Sequence, residues 1–164
     1  GRRILHTGPI GSASCLKVLT NYLCSTHLAA LAESFAVAKK AGMDMNTTYE
    51  AIRISSGNSF VHETESQLIL NGSRDVNFTM DLVVKDVGLF DKLANTHKVP
   101  VEISPLVLDI FKDGEKRYGP REFSPNIVKR LEDDCDIRIS GTGFPAELLD
   151  DEPEESGYEV KVRK

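Results

Sequence analysis

Apolar positions in the first third of the chain fall on nearly every side of a helical wheel. From Ser12 to Lys40 there is no proline, and Leu16, Leu19, Leu23, Leu28, Leu31, Phe35 and Val37 are spread nearly all round. That pattern predicts one long central helix, stopped at Gly42. Asn46 or Thr47 offers a cap for a second helix to about Ser55, and residues 55–59 read as a loop. A third helix is expected over Val61 to Leu70, ended by Asn71-Gly72. A fourth runs from Phe78 to Lys98, with apolar positions Leu82, Val83, Val87, Leu89, Phe90 and Leu93. Pro100 and Pro105 bracket the start of a fifth, Ser104 to Tyr118. A last helix runs from Ser124 to about Asp133, with Pro125 at its first position. The body reads as all-α.

Both ends depart from the helical period. Gly1 to Thr7 reads as a short strand or a linker, followed by the turn Gly8-Pro9-Ile10-Gly11-Ser12. Beyond the last helix, Asp136 to Ile139 and Tyr158 to Val162 alternate in polarity around the acidic stretch Asp150 to Glu155. This predicts a helical domain over 1–133 and an acidic C-terminal extension over 134–164, irregular or short β.

Composition narrows the classes. A chain of 164 residues, 40% hydrophobic and 27% charged, fits one domain with a real core. The net charge of -5 excludes a general nucleic-acid binder. It is unevenly placed: residues 1–131 hold 16 Lys+Arg and 14 Asp+Glu, a net of +2, so residues 132–164 carry a net of -7. No apolar run approaches membrane-spanning length, so no membrane partner is expected. Three cysteines, Cys15, Cys24 and Cys135, give no disulfide framework, and no Cys/His spacing suggests a metal. A cytoplasmic or mitochondrial-matrix setting is expected, and the start at Gly1 fits a domain cut from something longer.

Lys17 is the candidate for chemistry. It is the only formally charged residue from Gly8 through Ala32. Asn21 lies four positions on, so both side chains project from one helical face. Such a lysine can trade a proton with a substrate hydroxyl or carbonyl, while Asn21 holds the substrate or orients the amine. The same spacing also suits a solvated lysine at a helix end. The Gly8–Ser12 turn permits close backbone approach. Lys85-Asp86 is the second unusual pair. Asp81 and Lys85 stand at i,i+4, which surface decoration would also explain.

These residues resemble a family. The run from Gly8 to Asn21 looks like the GxxGxGxxxKxxxN segment of the β-hydroxyacid dehydrogenases, the group that includes 3-hydroxyisobutyrate dehydrogenase. Ala32 to Gly42 resembles the continuation of that family's long helix. Lys85-Asp86-x-x-Leu89 resembles its KDxxL motif, and Tyr118 to Ser124 the close of its helical domain. The resemblance covers about residues 4 to 131; Ala13 stands where the pattern often has Gly, and the tail has no counterpart.

The resemblance implies the helical domain seen at the C-terminal end of 6-phosphogluconate dehydrogenase and its kin. It implies an NAD or NADP cofactor, a β-hydroxyacid substrate, and an N-terminal Rossmann domain of the same protein that is absent from this chain. It implies Lys17 as general acid/base, and Asn21, Gly11 and Phe78 at the substrate. Lys85 and Asp86 fall on the cofactor side. It further implies a homodimer or tetramer, and an isolated chain that folds without turning over substrate. The competing reading is a non-catalytic helical dimerisation module with a vestigial site.

Overall fold

The computed structural model describes residues 2–150 and 153–162; Gly1, Asp151 and Glu152 of the acidic stretch, and the last two residues lie outside them. Among the described residues the helices follow in the order α1 (Ser12–Lys40), α2 (Met45–Arg53), α3 (Phe60–Asn71), α4 (Met80–Thr96), α5 (Ile103–Tyr118) and α6 (Lys129–Cys135). A strand β1 (Arg3–Ile4) precedes them and a strand β2 (Tyr158–Glu159) follows. The fold is all-α, as the pattern predicts.

α1 is the axis of the body. It touches α2, α3, α4, α5 and α6, and its buried residues are Ser25, Leu28, Ala29, Leu31, Ala32, Phe35 and Ala36. All of these lie in its second half. Leu16 and Leu23 are 40% and 50% exposed, and Val37 is exposed as well. The expectation of a helix buried on every side therefore fails: from Ser25 onward one face is buried, while Ala30, Glu33, Ser34 and Val37 stay exposed on the other.

Local chemistry moves several expected boundaries. Asp44 caps α2, accepting from the Thr47 N–H at 2.8 Å. Asn46, the expected cap, instead clamps residue 142: its amide donates to the Thr142 carbonyl at 2.7 Å and accepts from the Thr142 N–H at 3.0 Å. Phe78 stands outside α4. Residues 78–80 are held in an extended bridge, with Ser124 N–H donating to the Phe78 carbonyl at 2.8 Å and Met80 N–H to the Glu122 carbonyl at 2.9 Å. The last helix is a 3-10 turn over Ser124–Val128 followed by α6. Gly114 lets α5 approach its neighbours: a Cβ there would stand 2.6 Å from Ile127 Cδ1 and 3.1 Å from Met80 Sδ.

The packed body does not end at residue 133. The Gly141 N–H donates to the Leu70 carbonyl at 2.9 Å, Asn71 donates to the Phe144 carbonyl at 2.8 Å, and Phe144 packs edge-on against Tyr49. Ile139 is fully buried. Beneath this segment lies an ion pair, Arg74 Nη2 to Glu132 Oε2 at 2.7 Å, with both side chains at most 5% exposed. Arg74 also donates to Asn126 Oδ1 at 3.1 Å, and Glu132 accepts the Ile139 N–H at 2.8 Å. Residues 136–144 are thus sewn onto α2, α3 and α6, and the tail leaves the body only beyond them.

Removing one partner of a buried pair strands the other charge. Arg74→Met is expected to lower the unfolding free energy by about 3–5 kcal/mol, read from the urea midpoint at constant m value.

Candidate active site

The α1–α4 seam carries the candidate chemistry. Lys17 and Asn21, one turn apart on α1, both reach one oxygen of Asp86 in the second turn of α4. Lys17 Nζ donates to Asp86 Oδ2 at 2.9 Å and Asn21 Nδ2 to the same atom at 2.5 Å. Lys85 Nζ lies 3.1 Å from the other oxygen, Oδ1. The Asp86 side chain is only 3% exposed, whereas Lys17 is 59% and Lys85 56% exposed. One buried carboxylate therefore holds two ammonium groups whose outer faces stay open. Burial raises the Asp86 pKa, but hydrogen bonds from Lys17, Asn21 and Lys85 outweigh it and hold the carboxyl below its ordinary value. Next to the cluster, Tyr22 stacks on Phe90 with ring centroids 3.8 Å apart, closing the seam.

The structure gathers four of the six expected residues. Lys17 keeps its predicted face, but in this chain it is exposed rather than enclosed. Lys85 and Asp86 differ in exposure, Lys85 lying more than half exposed on one oxygen of the buried Asp86, whose other oxygen anchors Lys17 and Asn21. Gly11 opens α1 in the left-handed region, with φ 97° and open space where a Cβ would stand. Its carbonyl accepts from the Cys15 N–H at 3.0 Å, and the exposed turn fits the expected close backbone approach. Phe78 lies outside the hydrogen-bonded cluster and packs against the hydrophobic core. Asp81 does not pair with Lys85; its carboxylate takes the Thr79 hydroxyl and Arg121, the latter at 3.3 Å.

Sequence reasoning passed over Glu65. It is 8% exposed on α3, its Oε1 accepts from the Cys24 thiol at 3.8 Å, and its Oε2 is buried with no hydrogen-bond partner. Cys24 follows Asn21 by three residues, so Glu65 lies further along the α1 face that carries Lys17 and Asn21. Burial pushes the Glu65 carboxyl up to about 7, against the bond from Cys24. Burial first, then the neighbouring carboxyl, pushes the Cys24 thiol up to about 12. The signal was present: Val61, Glu65 and Leu68 share the i, i+4, i+7 stripe that α3 buries.

The exposed Lys17 on α1, anchored by the buried Asp86 of the crossing helix α4, sits in an all-α body. The family model described as NAD-binding of NADP-dependent 3-hydroxyisobutyrate dehydrogenase matches residues 11–131. The chain belongs to this family, the β-hydroxyacid dehydrogenases of the 3-hydroxyisobutyrate dehydrogenase kind. It is 30% identical over 142 residues to the 2-(hydroxymethyl)glutarate dehydrogenase of Eubacterium barkeri, covering 86% of this chain and 47% of the relative. It is 30% identical over 141 residues to the NAD-dependent L-serine dehydrogenase of Pseudomonas aeruginosa, covering 81% and 47%. A crystal structure of 3-hydroxyisobutyrate dehydrogenase from Salmonella typhimurium matches with a TM-score of 0.67 and 27% identity, over 73% of this chain and 42% of that one. The chain thus spans less than half the length of these relatives. Among the described residues no helix is long and apolar enough to cross a membrane.

Glu65 generates a pH dependence. Its folded-state pKa of about 7 stands above the ordinary 4.5, so its contribution to stability is full below 4.5 and is lost as pH rises through 7. Stability is expected to fall by on the order of 2–3 kcal/mol from this group between pH 4.5 and pH 8. Urea unfolding of Glu65→Gln should lack that decline, and the variant should exceed the wild type at pH 8.

Proposed function

We propose that this chain is the helical half of an NAD- or NADP-dependent dehydrogenase that interconverts a β-hydroxyacid and its semialdehyde or keto form. The observation that carries the reading is the Lys17 ammonium, held 2.9 Å from a buried carboxylate while its outer face stays open. The family membership and the dehydrogenase names of the relatives support it.

The donor set fits a nicotinamide cofactor. Two exposed ammonium groups flank one buried carboxylate, which leaves N–H donors open toward a ligand. Lys85 is the residue that would hold the cofactor, steadied by Asp86 Oδ1. When bound, the nicotinamide accepts or supplies the hydride. Everything else falls to this chain. As hydride leaves the hydroxyl carbon, Lys17 in its neutral amine form takes the hydroxyl proton and becomes the ammonium; in the reverse direction the ammonium returns that proton to the carbonyl oxygen. Asp86 fixes the amine and keeps it from swinging free. Asn21 spends its amide N–H on Asp86, which leaves its carbonyl oxygen to accept from a substrate hydroxyl. Gly11 lets the backbone pass close to the reacting groups.

A Rossmann domain of the same protein completes the cleft, and the isolated chain does not turn over substrate. Leu16 and Leu23 on the projecting half of α1 supply apolar surface for that domain and for a second copy, in a homodimer or tetramer.

The test is Lys17→Ala in the full-length protein. kcat for hydroxyacid oxidation should fall by about 10²–10⁴-fold, with little change in the KM for cofactor. Activity near wild type would sink the proposal and favour the dimerisation-module reading. Asp86→Asn should also lower kcat, because it removes the charge that seats Lys17 while leaving Lys17 in place. A kcat unchanged in Asp86→Asn would remove the anchor from the mechanism.

A further inference from the structure

The two ends of the chain meet in a way the helical fold does not require. β1 pairs with β2 in parallel, Arg3 opposite Tyr158 and Ile4 opposite Glu159. Tyr158 N–H donates to the Arg2 carbonyl and Val160 N–H to the Ile4 carbonyl, both at 2.8 Å. Charge assists the pairing. The Arg2 guanidinium donates to the Pro153 carbonyl at 2.8 Å and lies 3.9 Å from Asp150, so the acidic tail is drawn to the basic start of β1.

Standing alone, this ribbon is anomalous. Its partners are more than 150 residues apart, and a ladder of two residues returns little against that closure. Parallel strands are weaker per residue than antiparallel ones, and parallel sheets occur with both faces covered. Here Ile4, Leu5, Tyr158 and Val160 are all exposed. Alternate residues of a strand turn their peptide groups to opposite edges. Arg2 and Ile4 face β2, so the peptide groups of Arg3 and Leu5 face the other edge. The order from β1 onward is strand, glycine turn, long helix, which is how a strand of a parallel sheet hands over to a helix. The family match ends at residue 131, well short of Tyr158.

We infer that the C-terminal tail is a strap: Tyr158 to Val160 form an added outer strand, and β1 lies between that strand and the parallel sheet of the nucleotide-binding domain. The inference rests on the proposed function, which supplies that sheet. A short strand buried between two neighbours gains the cover and the ladder that the isolated ribbon lacks. The occupant of the open β1 edge is therefore a parallel strand of the same protein, and the tail fastens the helical body to it.

Residue-resolved hydrogen exchange on the full-length protein tests this. The Tyr158 and Ile4 amides report the strap, and the Arg3 and Leu5 amides report the sheet on the other edge. Both sets should exchange at least ~10-fold more slowly than an open strand. Val160→Pro removes the donor to Ile4 and should release Tyr158 and Ile4 while Arg3 and Leu5 stay protected. Val160→Ala, which keeps the N–H, should behave as wild type. An unprotected Tyr158 in the wild type overturns the strap, and an unprotected Leu5 overturns the sheet as its neighbour. Hydroxyacid oxidation assayed on the same preparation separates this result from the enzymatic reading: an active protein with an open Tyr158 loses the strap alone.

Discussion

The carboxylate of Asp86 sets the geometry of everything around it. A carboxylate this buried must be met by donors, or its desolvation is uncompensated. Lys17, Asn21 and Lys85 meet it, from 69 and 65 residues away on α1 and from the next position on α4. That requirement fixes the rotation of α1 against α4: turn α1 by one residue and both its donors leave the seam. The Tyr22–Phe90 stack has the same consequence in apolar terms. The charge that orders the lysine is thus also the charge that holds the two helices together.

The second buried carboxylate, Glu132, is met differently. Arg74 is enclosed with it, Asn126 and the Ile139 N–H add further bonds, and the Arg74 Nε stays buried without a hydrogen-bond partner. Arg138, itself exposed, lies 3.8 Å from the same Glu132 oxygen, so the network reaches solvent through that one side chain while its central pair stays enclosed. The contrast separates an open ion pair from an enclosed one more clearly than distance does, since Lys17–Asp86 and Arg74–Glu132 lie at 2.9 and 2.7 Å. What differs is the cation: a flexible ammonium with an open side in one case, a planar guanidinium with none in the other.

Much of this was legible in the chain. The helices were readable because Gly42, Gly72, Pro100 and Pro105 punctuate a strong 3.6-residue period, and Lys17 stood out as a lone charge in an apolar stretch. The role of Asp86 was not readable. On α4 alone, Asp81 and Lys85 look like the pair, whereas Lys85 turns to Asp86 and the other two partners of Asp86 come from a helix far away in sequence. Asn46 was misread for a related reason: Asp44 offers the α2 amides a better acceptor, which frees Asn46 to clamp the tail. The docking of 136–144 left little trace, since it depends on backbone bonds and one buried isoleucine. Glu65 could have been found by asking which polar residue sits on the buried stripe of α3.

The uneven burial of α1 has a mechanical consequence. Its fully buried part begins at Ser25, so Lys17 stands about 12 Å up the axis from the first fully buried residue. Over that arm a tilt of roughly 5° carries the amine about 1 Å, a displacement that costs reactions of this kind on the order of a hundredfold. α1 is therefore a lever with its fulcrum in the core and its working end outside it. The hydrogen bonds to Asp86 act as the stop that limits its swing, so a disturbance deep in the body can reach the amine through the helix without altering any residue that touches it.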